Sequence, residues 1–466
     1  MRKLYLLLTL LSALSLSACI INGYVKNENG QGASDVTMTL SGPKSETVTT
    51  DATGKFQFDD KHNWLPVGTY TVTPAKDGYR FFPSRRTVTI TTRDYNGTDT
   101  AWPVNNVDFE AKAEIDGTDP IILGVAGPHS GDLVSYGIPS IRAAELVAEK
   151  FNTSGGLLSR KVEVLPKDDE CDPDLAATVA NEFVADKVNL VLGHNCSDAA
   201  GAALPFYTEN NIISMSPSAS APELTQSGDN PTFFRTIVHG GRNAELAVSF
   251  AVKQLKSDKV AILYETSAYG QGFAEYAKEY LTGYPGVEVL FYEAFGYRDR
   301  DFSAPIVKIK QLGVDCVIFA GHHTEASLVI RQMRDLGVKT DVVCSDRVMD
   351  DVFIELAGED AEGVYAIGPK HLTSNPMYVD ATEEYNSTYG SEPGSYFYEA
   401  YAGALVLCNA VKMANSTGSD DILQVLRSKT FETPLGSISF DDKGDVIGTG
   451  STVYRVKGGM FVEYDY

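Results

Sequence analysis

Hydroxyl side chains follow two neighbouring predicted strands, at the point where each strand ends. Ser197 comes after a short apolar run, at the start of a predicted helix. Ser218 and Ser220 come after the next apolar run, which ends at Met215. Hydroxyl groups and the free backbone N–H groups of a helix start are donors suited to a carboxylate. These residues therefore predict a carboxylate-binding site at the ends of these two strands.

An acidic residue and aromatic rings follow the predicted strands further along the chain. Tyr269 follows the first of these strands, the pair His322-His323 follows the third, and Asp346-Arg347 follows the fourth. A carboxylate surrounded by rings attracts an ammonium group. Both sets of residues together fit a zwitterion, with its carboxylate on the serines and its ammonium near Asp346.

Each of these residues also has a structural interpretation. Ser197 and Ser220 are of a type that caps helices. Asp346 alone is a common turn residue, and Tyr269 alone is a common packing residue. The His-His pair beginning at His322 would indicate a metal, but adjacent side chains on a strand face opposite sides, which disfavours a metal site. Joint placement at successive strand ends favours ligand binding.

The elements that must position these residues alternate between strand and helix. From Pro120 onward, short apolar runs are separated by segments with helical spacing, such as Ile141, Ala144 and Val147. Such alternation predicts βαβ units and parallel sheets. The alternation of strands and helices is interrupted at residues 235–243 and then resumes, which predicts two lobes with a hinge. Ligands bind beyond the carboxyl ends of such strands, so a cleft between the lobes is expected.

The preceding part of the chain has the period-two pattern of β-strands. Segments 36–40, 69–73 and 86–90 alternate in this way and are separated by turns. This pattern predicts a small all-β sandwich over residues 20–110. A polar, Gly- and Asp-containing linker is expected over residues 111–119.

Several phrases of this segment resemble known modules. They are Gly23-Tyr-Val-Lys26, Thr50-Asp-Ala-Thr-Gly-Lys-Phe56, Gly68-Thr-Tyr-Thr-Val-Thr73 and Gly78-Tyr-Arg-Phe81. They resemble the carboxypeptidase-regulatory-like or Cna-B-type Ig-like modules, which implies a spacer or adhesive stalk. The segment has no cluster of catalytic residues, which also favours a spacer.

The N-terminus has the pattern of an export signal. Arg2 and Lys3 precede an apolar run that is too short for a membrane span, and small residues stand before Cys19. This pattern predicts a signal peptide over residues 1–18. The cysteine resembles the bacterial lipobox, which implies a lipid on Cys19 and a protein anchored in the cell envelope, on its periplasmic or extracellular face. A plain secretory signal with an incidental cysteine is the alternative.

Composition excludes several classes of function. The chain has 466 residues, with 62 acidic against 39 basic side chains and a net charge of −23. Its length indicates two or three globular units. So acidic a chain is poorly suited to nucleic acid, which requires clustered Lys and Arg. No GxSxG, HExxH or P-loop motif is present, so neither an enzyme nor a cofactor is expected.

Six cysteines are present, and an exported protein can retain disulfides. Cys171 and Cys196 are the best pair, because both follow predicted strand ends near a common edge. Cys316 and Cys344 lie on neighbouring predicted strands, and Cys408 lies in a predicted helix. Five cysteines besides Cys19 cannot all pair, so at least one buried thiol is expected.

Six motifs in the second part of the chain resemble one family. They are Lys167-Asp-Asp-Glu-Cys-Asp-Pro173, Gly193-His-Asn-Cys-Ser197, Ser216-Pro-Ser-Ala-Ser-Ala-Pro-Glu-Leu-Thr225, Tyr269-Gly-Gln-Gly272, Asp301-Phe-Ser-Ala304 and Asp442-Lys-Gly-Asp445. Residues 120–457 resemble the leucine/isoleucine/valine-type periplasmic binding proteins. The resemblance implies the type 1 periplasmic binding fold, an α/β fold with two Rossmann-like lobes that close on an amino acid. That amino acid is then handed to an ABC transporter permease.

The resemblance also implies domain limits and site residues. The binding domain would cover residues 120–466, with one lobe at 120–238 and 370–445 and the other at 239–369 and 446–466. A disulfide would join Cys171 to Cys196. The ligand carboxylate and part of its ammonium would be held by Ser197, Ser218 and Ser220. Asp346 would face the ammonium, and the ring positions match Tyr136, Tyr269, Tyr396 and His322.

Four positions make the expected pocket more polar than the family pattern. Asn195 stands in place of an apolar residue, His322 in place of Tyr and Arg347 in place of Gly; Tyr396 adds a hydroxyl. An unpaired buried amide costs about 1–3 kcal/mol. We therefore expect an amino acid with a polar side chain, acidic ones included. The alternatives are a branched-chain ligand with Asn195 and Arg347 turned outward, and a sensor protein without a transport role.

Overall fold

The structure, a computed structural model, describes residues 19–27, 30–58, 65–76, 79–90, 102–113 and 116–465. The expected signal peptide at residues 1–18 lies outside this part of the chain, and lipidation of Cys19 stays a prediction. The chain divides into two compact units. One comprises Met1–Thr118 with Thr153–Arg160, and the other comprises Asp119–Asn152 with Lys161–Tyr466.

The described part of the first unit consists of strands. They are β1 (Cys19–Asn27), β2 (Thr37–Ser41), β3 (Glu46–Thr49), β4 (Lys55–Phe58), β5 (Gly68–Ala75), β6 (Tyr79–Phe82), β7 (Arg86–Ile90), β8 (Trp102–Asn106) and β9 (Phe109–Ala113). One sheet has the order β4-β1-β9-β6 with β8 beside β1, and the other has the order β3-β2-β5-β7. Tyr70, Val72 and Pro74 of β5 are buried in alternation, as the period-two pattern predicts. Identification with an Ig-like module stays a prediction.

The segment expected to be a linker, residues 111–119, is largely strand. β9 continues to Ala113, and the next strand begins at Asp116. Polar and Gly-containing sequence is typical of linkers, but backbone pairing is open to any residue that keeps its N–H group. β9 makes such pairs with both β1 and β6.

The second unit begins with a five-stranded sheet, the first sheet, which has the order β11-β10-β12-β13-β14. Strands β10, β12, β13 and β14 are parallel, as the strand-helix alternation predicts. The elements in chain order are β10 (Asp116–Gly127), α1 (Val134–Thr153), β11 (Arg160–Asp168), α2 (Pro173–Ala185), β12 (Leu190–Leu192), α3 (Ser197–Glu209), β13 (Ile213–Ser216), α4 (Glu223–Gln226) and β14 (Phe233–Arg235).

The chain then forms most of a second, seven-stranded sheet. Its elements are α5 (Gly240–Lys253), β15 (Lys259–Glu265), α6 (Ala268–Leu281), β16 (Glu288–Phe295), α7 (Ser303–Leu312), β17 (Cys316–Ala320), α8 (His323–Asp335), β18 (Asp341–Cys344), a 3-10 helix (Asp346–Val348), α9 (Asp351–Ala357), a second 3-10 helix (Gly358–Ala361) and β19 (Tyr365–Pro369).

After β19 the chain returns to the first sheet, where α11 packs against β12 and β13, and it crosses back once more after β22. The remaining elements are α10 (Pro376–Tyr389), α11 (Phe397–Ala414), α12 (Ser419–Ser428), β20 (Phe431–Thr433), β21 (Gly436–Phe440), β22 (Val446–Ile447), β23 (Ser451–Val456) and β24 (Phe461–Glu463). The order of the second sheet is β16-β15-β17-β18-β19-β23-β24, and β20, β21 and β22 form a small sheet.

Strand β17 is buried on both faces, as its continuous apolar sequence predicts for a central strand of a parallel sheet. All of its residues are buried, because helices cover both faces of the sheet. Phe319 packs into the core on one face, and Ile318 packs into the core on the other. Cys316 and Cys344 also lie in opposite cores, and both are free buried thiols.

A helix that crosses a bilayer is long and predominantly apolar. Within the described ranges, none of the helices combines the length and the apolar character needed to cross a membrane.

Candidate functional site

Strands β12 and β13 of the first sheet end side by side, and serine hydroxyls follow both strands. Helix α3 begins at Ser197, and its cap residue Cys196 makes no side-chain hydrogen bond to the helix. The Ser197 Oγ accepts a hydrogen bond of 3.2 Å from the Ala221 N–H. Ser197, Ser218 and Ser220 are all buried. The serines expected to bind a carboxylate therefore lie beside an uncapped helix start.

Asn195 is bonded within the elements of the first sheet. Its Nδ2 donates to the Tyr136 main-chain oxygen at 3.0 Å, to Ser140 Oγ at 3.1 Å and to Ser218 Oγ at 3.2 Å. Its Oδ1 lies against Gly127, where an added Cβ would come within 2.1 Å of this oxygen. The amide thus packs against α1 and β10, and position 127 has no room for a side chain.

Asp346 opens the 3-10 helix after β18 and is buried. Its Oδ1 accepts a hydrogen bond of 2.9 Å from the Tyr269 hydroxyl. Its Oδ2 accepts one of 3.2 Å from the Tyr396 hydroxyl. Tyr269 lies in the first turn of α6, and Tyr396 directly precedes α11. Two expected ring residues therefore contact the expected acidic residue.

We call the region between these residues the cleft, defined by Ser197, Ser218 and Ser220 on the first sheet and by Tyr269, His322 and Asp346 on the second. The side chain of Arg347 lies in the cleft. Its guanidinium carbon is 5.2 Å from the ring centroid of Tyr136, 5.2 Å from that of Tyr269 and 5.3 Å from that of Tyr396. Such distances are typical of cation–π contacts.

Arg347 also connects the two sheets through hydrogen bonds. Its Nη2 donates to the main-chain oxygens of Asn195 at 2.7 Å and Ser218 at 2.8 Å. Burial lowers the pKa of Arg347, but Tyr396, Tyr136 and the Asp346 carboxylate offset this effect, and the pKa is raised overall. The cleft therefore contains a permanent cation.

Tyr136 of α1 makes a second connection to the other side of the cleft. Its hydroxyl donates to the Arg347 main-chain oxygen at 2.5 Å and lies 2.5 Å from His323 Nδ1. Burial lowers the pKa of His323 to about 4, so this imidazole is neutral at pH 7. A neutral ring with its proton on Nδ1 can donate to the Tyr136 oxygen.

His322 and His323 both contribute to this region, contrary to the expectation that adjacent side chains diverge. The expectation is wrong because β17 ends at Ala320, and the two histidines lie at the start of α8, where strand alternation no longer applies. The His322 Nδ1 lies 2.7 Å from Glu265 Oε2. Burial raises the pKa of Glu265, but His322 and the Ser267 hydroxyl together lower it, and the pKa is lowered overall. The described residues contain no group of three His, Cys, Asp or Glu side chains that could hold a metal ion.

A disulfide joins Cys171 to Cys196. Cys196 is the cap residue of α3, and Cys171 lies between β11 and α2. The bond therefore ties the turn that carries Ser197 to the segment after β11, across the intervening strand β10. Beside it, His194 Nδ1 lies 2.6 Å from Asp169 Oδ2, which links the same two segments.

Several buried polar atoms of the cleft have no hydrogen-bond partner among the described residues. They are Ser220 Oγ, Asn195 Oδ1, Arg347 Nε and Arg347 Nη1. Most buried polar atoms in proteins are paired, so unpaired ones are places for a ligand or an ordered water. The unpaired atoms of Arg347 and Ser220 are therefore open to a ligand or to ordered water.

Sequence reasoning missed Glu265 and Ser140, and it noted His323 beside His322 without giving it a role in the site. His323 contacts Tyr136, Glu265 pairs with His322, and Ser140 accepts from Asn195. Glu265 is the last residue of β15, so the strand-end criterion applied to its neighbours was a signal that could have found it. No comparable signal marks Ser140, which lies within a helix.

The sequence profile of a family described as periplasmic binding protein matches residues 120–460. The leucine-, isoleucine-, valine-, threonine-, and alanine-binding protein of Pseudomonas aeruginosa is 31% identical over 337 residues, which cover 72% of this chain and 90% of that protein. The Leu/Ile/Val-binding protein homolog 1 of Brucella suis is 32% identical over 347 residues, which cover 74% of this chain and 93% of that protein.

Solved structures resemble the same large part of the chain. The branched-chain amino acid transporter substrate binding protein of Streptococcus pneumoniae, in complex with isoleucine, gives a TM-score of 0.67 at 26% identity, covering 74% of this chain and 100% of that one. The leucine binding protein of Thermotoga maritima gives a TM-score of 0.69 at 24% identity, covering 74% and 98%. The second likeness concerns the fold alone.

Proposed function

Because this chain belongs to the periplasmic binding protein family, we propose that it is a solute-binding protein that holds a free amino acid in the cleft between its two sheets. Its homologues are solute-binding proteins rather than enzymes, and its α/β fold is that of type 1 periplasmic binding proteins. The observation that carries the proposal is that Arg347, the residue after Asp346, donates from the second sheet to the main-chain oxygen of Ser218 on the first. The buried serines and the buried Asp346 therefore border the same cleft.

The two ends of the ligand have different partners in this proposal. Its carboxylate accepts hydrogen bonds from the Ser197 and Ser220 hydroxyls and from the uncapped start of α3. Its ammonium lies near Asp346, among the rings that surround this carboxylate. Each sheet thus holds one charged end, so the ligand favours the arrangement in which the sheets are close together.

Arg347 determines the class of side chain that we propose for the ligand. Its Nε and Nη1 are buried donors without partners. An aliphatic side chain would leave them unpaired at a cost of about 1–3 kcal/mol, whereas a carboxylate or amide side chain would accept from them. The proposed ligand is therefore an amino acid with a polar side chain, and an acidic one suits the cation best. Asn195 contributes less to this preference, because its amide is bonded to α1 and Ser218.

Delivery and anchoring complete the proposal. The Streptococcus pneumoniae relative is the substrate-binding component of a branched-chain amino acid transporter, which supports delivery to an ABC transporter permease. A lipid on Cys19 would anchor the chain in the cell envelope, with the strands of residues 20–110 acting as a spacer.

Calorimetric titration with each of the twenty amino acids tests the proposal. We expect binding of a polar amino acid, with glutamate or aspartate among the tightest ligands. Leucine, isoleucine or valine as the only ligands would contradict the polar side chain but keep an amino-acid-binding role. An absence of binding for all twenty would contradict the role itself.

A further inference from the structure

A cavity of about 710 Å³ adjoins the cleft, and Asp346 and Tyr396 line both. Its walls come from the start of α1, the segment between β18 and α9, the residues on both sides of the α11 start, and β23. A volume of this size is within the range of small-molecule sites. The function proposed above gives this cavity no occupant.

Negative charge predominates in the lining of the cavity. Its five carboxylates are Asp346, Asp350, Asp351, Glu392 and Glu399. None of the five forms a salt bridge with any side chain that the structure describes.

The basic side chains of the lining do not neutralise these carboxylates. Arg142 donates to the Tyr385 hydroxyl at 2.5 Å, and its guanidinium carbon lies 4.7 Å from the Tyr389 ring centroid. Burial lowers the pKa of His371, so this ring is uncharged at neutral pH. Arg142 keeps its positive charge and Asp346 lies beside Arg347, but five carboxylates outnumber these two cations, so the charge around the cavity is negative overall.

Glu399 is the most informative of the five carboxylates. It lies in the first turn of α11, it is 2% exposed, and its Oε1 has no hydrogen-bond partner among the described residues. Burial raises its pKa to about 7, so a neighbouring cation would favour its charged form. A buried carboxylate oxygen without a partner is costly, and it is satisfied by a donor that enters the cavity.

Aromatic rings form much of the rest of the lining. Tyr396, Tyr398 and Tyr454 line the cavity, and the His371 ring centroid lies 5.4 Å from that of Tyr398 and 6.2 Å from that of Tyr454. Rings beside carboxylates that form no salt bridge attract organic cations, because the ring face adds to the attraction of the charge. The apolar surface of the rings suits an alkyl chain better than a hydrated metal ion.

We propose that this cavity is a second binding site, which takes an organic cation of the alkylammonium class with its charged end at Glu399. Its occupant is chemically unlike the ligand proposed for the cleft, since it needs a positive charge and no carboxylate. The two sites share Asp346 and Tyr396, but the proposed contact of the cation with Glu399 lies outside the residues that define the cleft.

Titration of the full chain with putrescine (1,4-diaminobutane) at pH 8, where Glu399 is largely ionised, tests the proposal. We expect saturable binding, no binding of the uncharged analogue 1,4-butanediol, and a loss of at least about tenfold in affinity for Glu399→Gln. The matched control is Asp335→Asn, which removes an exposed carboxylate outside the cavity and should bind as wild type. Absence of saturable putrescine binding, or unchanged affinity in Glu399→Gln, would overturn the proposal.

Two further variants keep the test decisive. Ser220→Ala removes a cleft hydroxyl, and we expect it to weaken amino acid binding while putrescine binds as to wild type. Loss of putrescine binding in this variant would place the cation in the cleft and overturn the proposal. If circular dichroism shows that Glu399→Gln does not fold, Glu392→Gln replaces it and must also weaken putrescine binding; unchanged affinity would count against the site.

Discussion

The guanidinium Nη2 of Arg347, on the second sheet, donates a hydrogen bond of 2.8 Å to the main-chain oxygen of Ser218, on the first sheet. This bond spans the cleft and places a cation where the two sheets face each other. Arg347 thus both joins the sheets and presents unpaired donors to a ligand.

Arg347→Ala should change which side chain the cleft accepts. Losing a charge-assisted hydrogen bond costs about 1.5–3 kcal/mol, so affinity for an acidic amino acid should fall roughly 10- to 150-fold. Affinity for leucine should hold or rise, because no unpaired donor remains. Calorimetry of both ligands checks this, with the exposed Arg331→Ala as control. Equal affinity of wild type and Arg347→Ala for acidic ligands would rule out the proposed role.

Ser220→Ala and Asp346→Ala should each weaken amino acid binding. Ser220 Oγ is a buried donor without a partner among the described residues, and Asp346 is a buried carboxylate on the second sheet. We expect a loss of about tenfold for the serine and of at least about a hundredfold for the aspartate, whose charge is removed. Ser428→Ala, on the exposed face of α12, is the control. Wild-type affinity in either cleft variant would remove that residue from the site.

Tyr136→Phe should shift the protein toward separated sheets. The lost hydroxyl contacts the Arg347 main-chain oxygen and His323, and a hydrogen bond of this kind contributes about 1 kcal/mol. Small-angle scattering of the ligand-free variant should give a larger radius of gyration than wild type. Tyr284→Phe, away from the cleft, should scatter as wild type. Identical profiles for Tyr136→Phe and wild type would show that this contact does not hold the sheets together.

Glu399 should make folding stability fall as the pH rises. Burial raises its pKa from an ordinary value of 4.5 to about 7, so the folded state holds the proton more tightly than the unfolded state. Ionisation of Glu399 does not affect the free energy of unfolding below about pH 4.5, the pKa of the unfolded state. The destabilisation develops between this pKa and that of the folded state, and it reaches roughly 3 kcal/mol above pH 7. Denaturant unfolding at pH 5 and pH 8 checks this. Glu399→Gln should lose less stability than wild type over that interval, and parallel losses would contradict the assignment.

The α/β fold could be predicted because its strands are buried on both faces. The predicted strand that carries Cys316 is β17, Cys316–Ala320. Helices cover both sides of a parallel sheet, so its central strands need continuous apolar residues. The strand-end residues Tyr269 and Asp346 are in contact, as expected from their positions after parallel strands.

Other features depended on packing that local sequence does not specify. The amide of Asn195 is bonded toward α1, which follows from the space that Gly127 leaves free. The meeting of Tyr136 with His323 depends on how closely the two sheets approach. Glu399 lies in an ordinary helical pattern, and only the assembled cavity distinguishes it from a solvated residue.

The central claim is that each sheet holds one charged end of a free amino acid. The most direct measurement is calorimetric titration with the tightest amino acid found, its amine analogue without the carboxylate, and its hydroxy-acid analogue without the ammonium. We predict that each analogue binds at least about a hundredfold more weakly, because each leaves one buried charged or polar partner unpaired. An analogue that binds as tightly as the amino acid would contradict the claim.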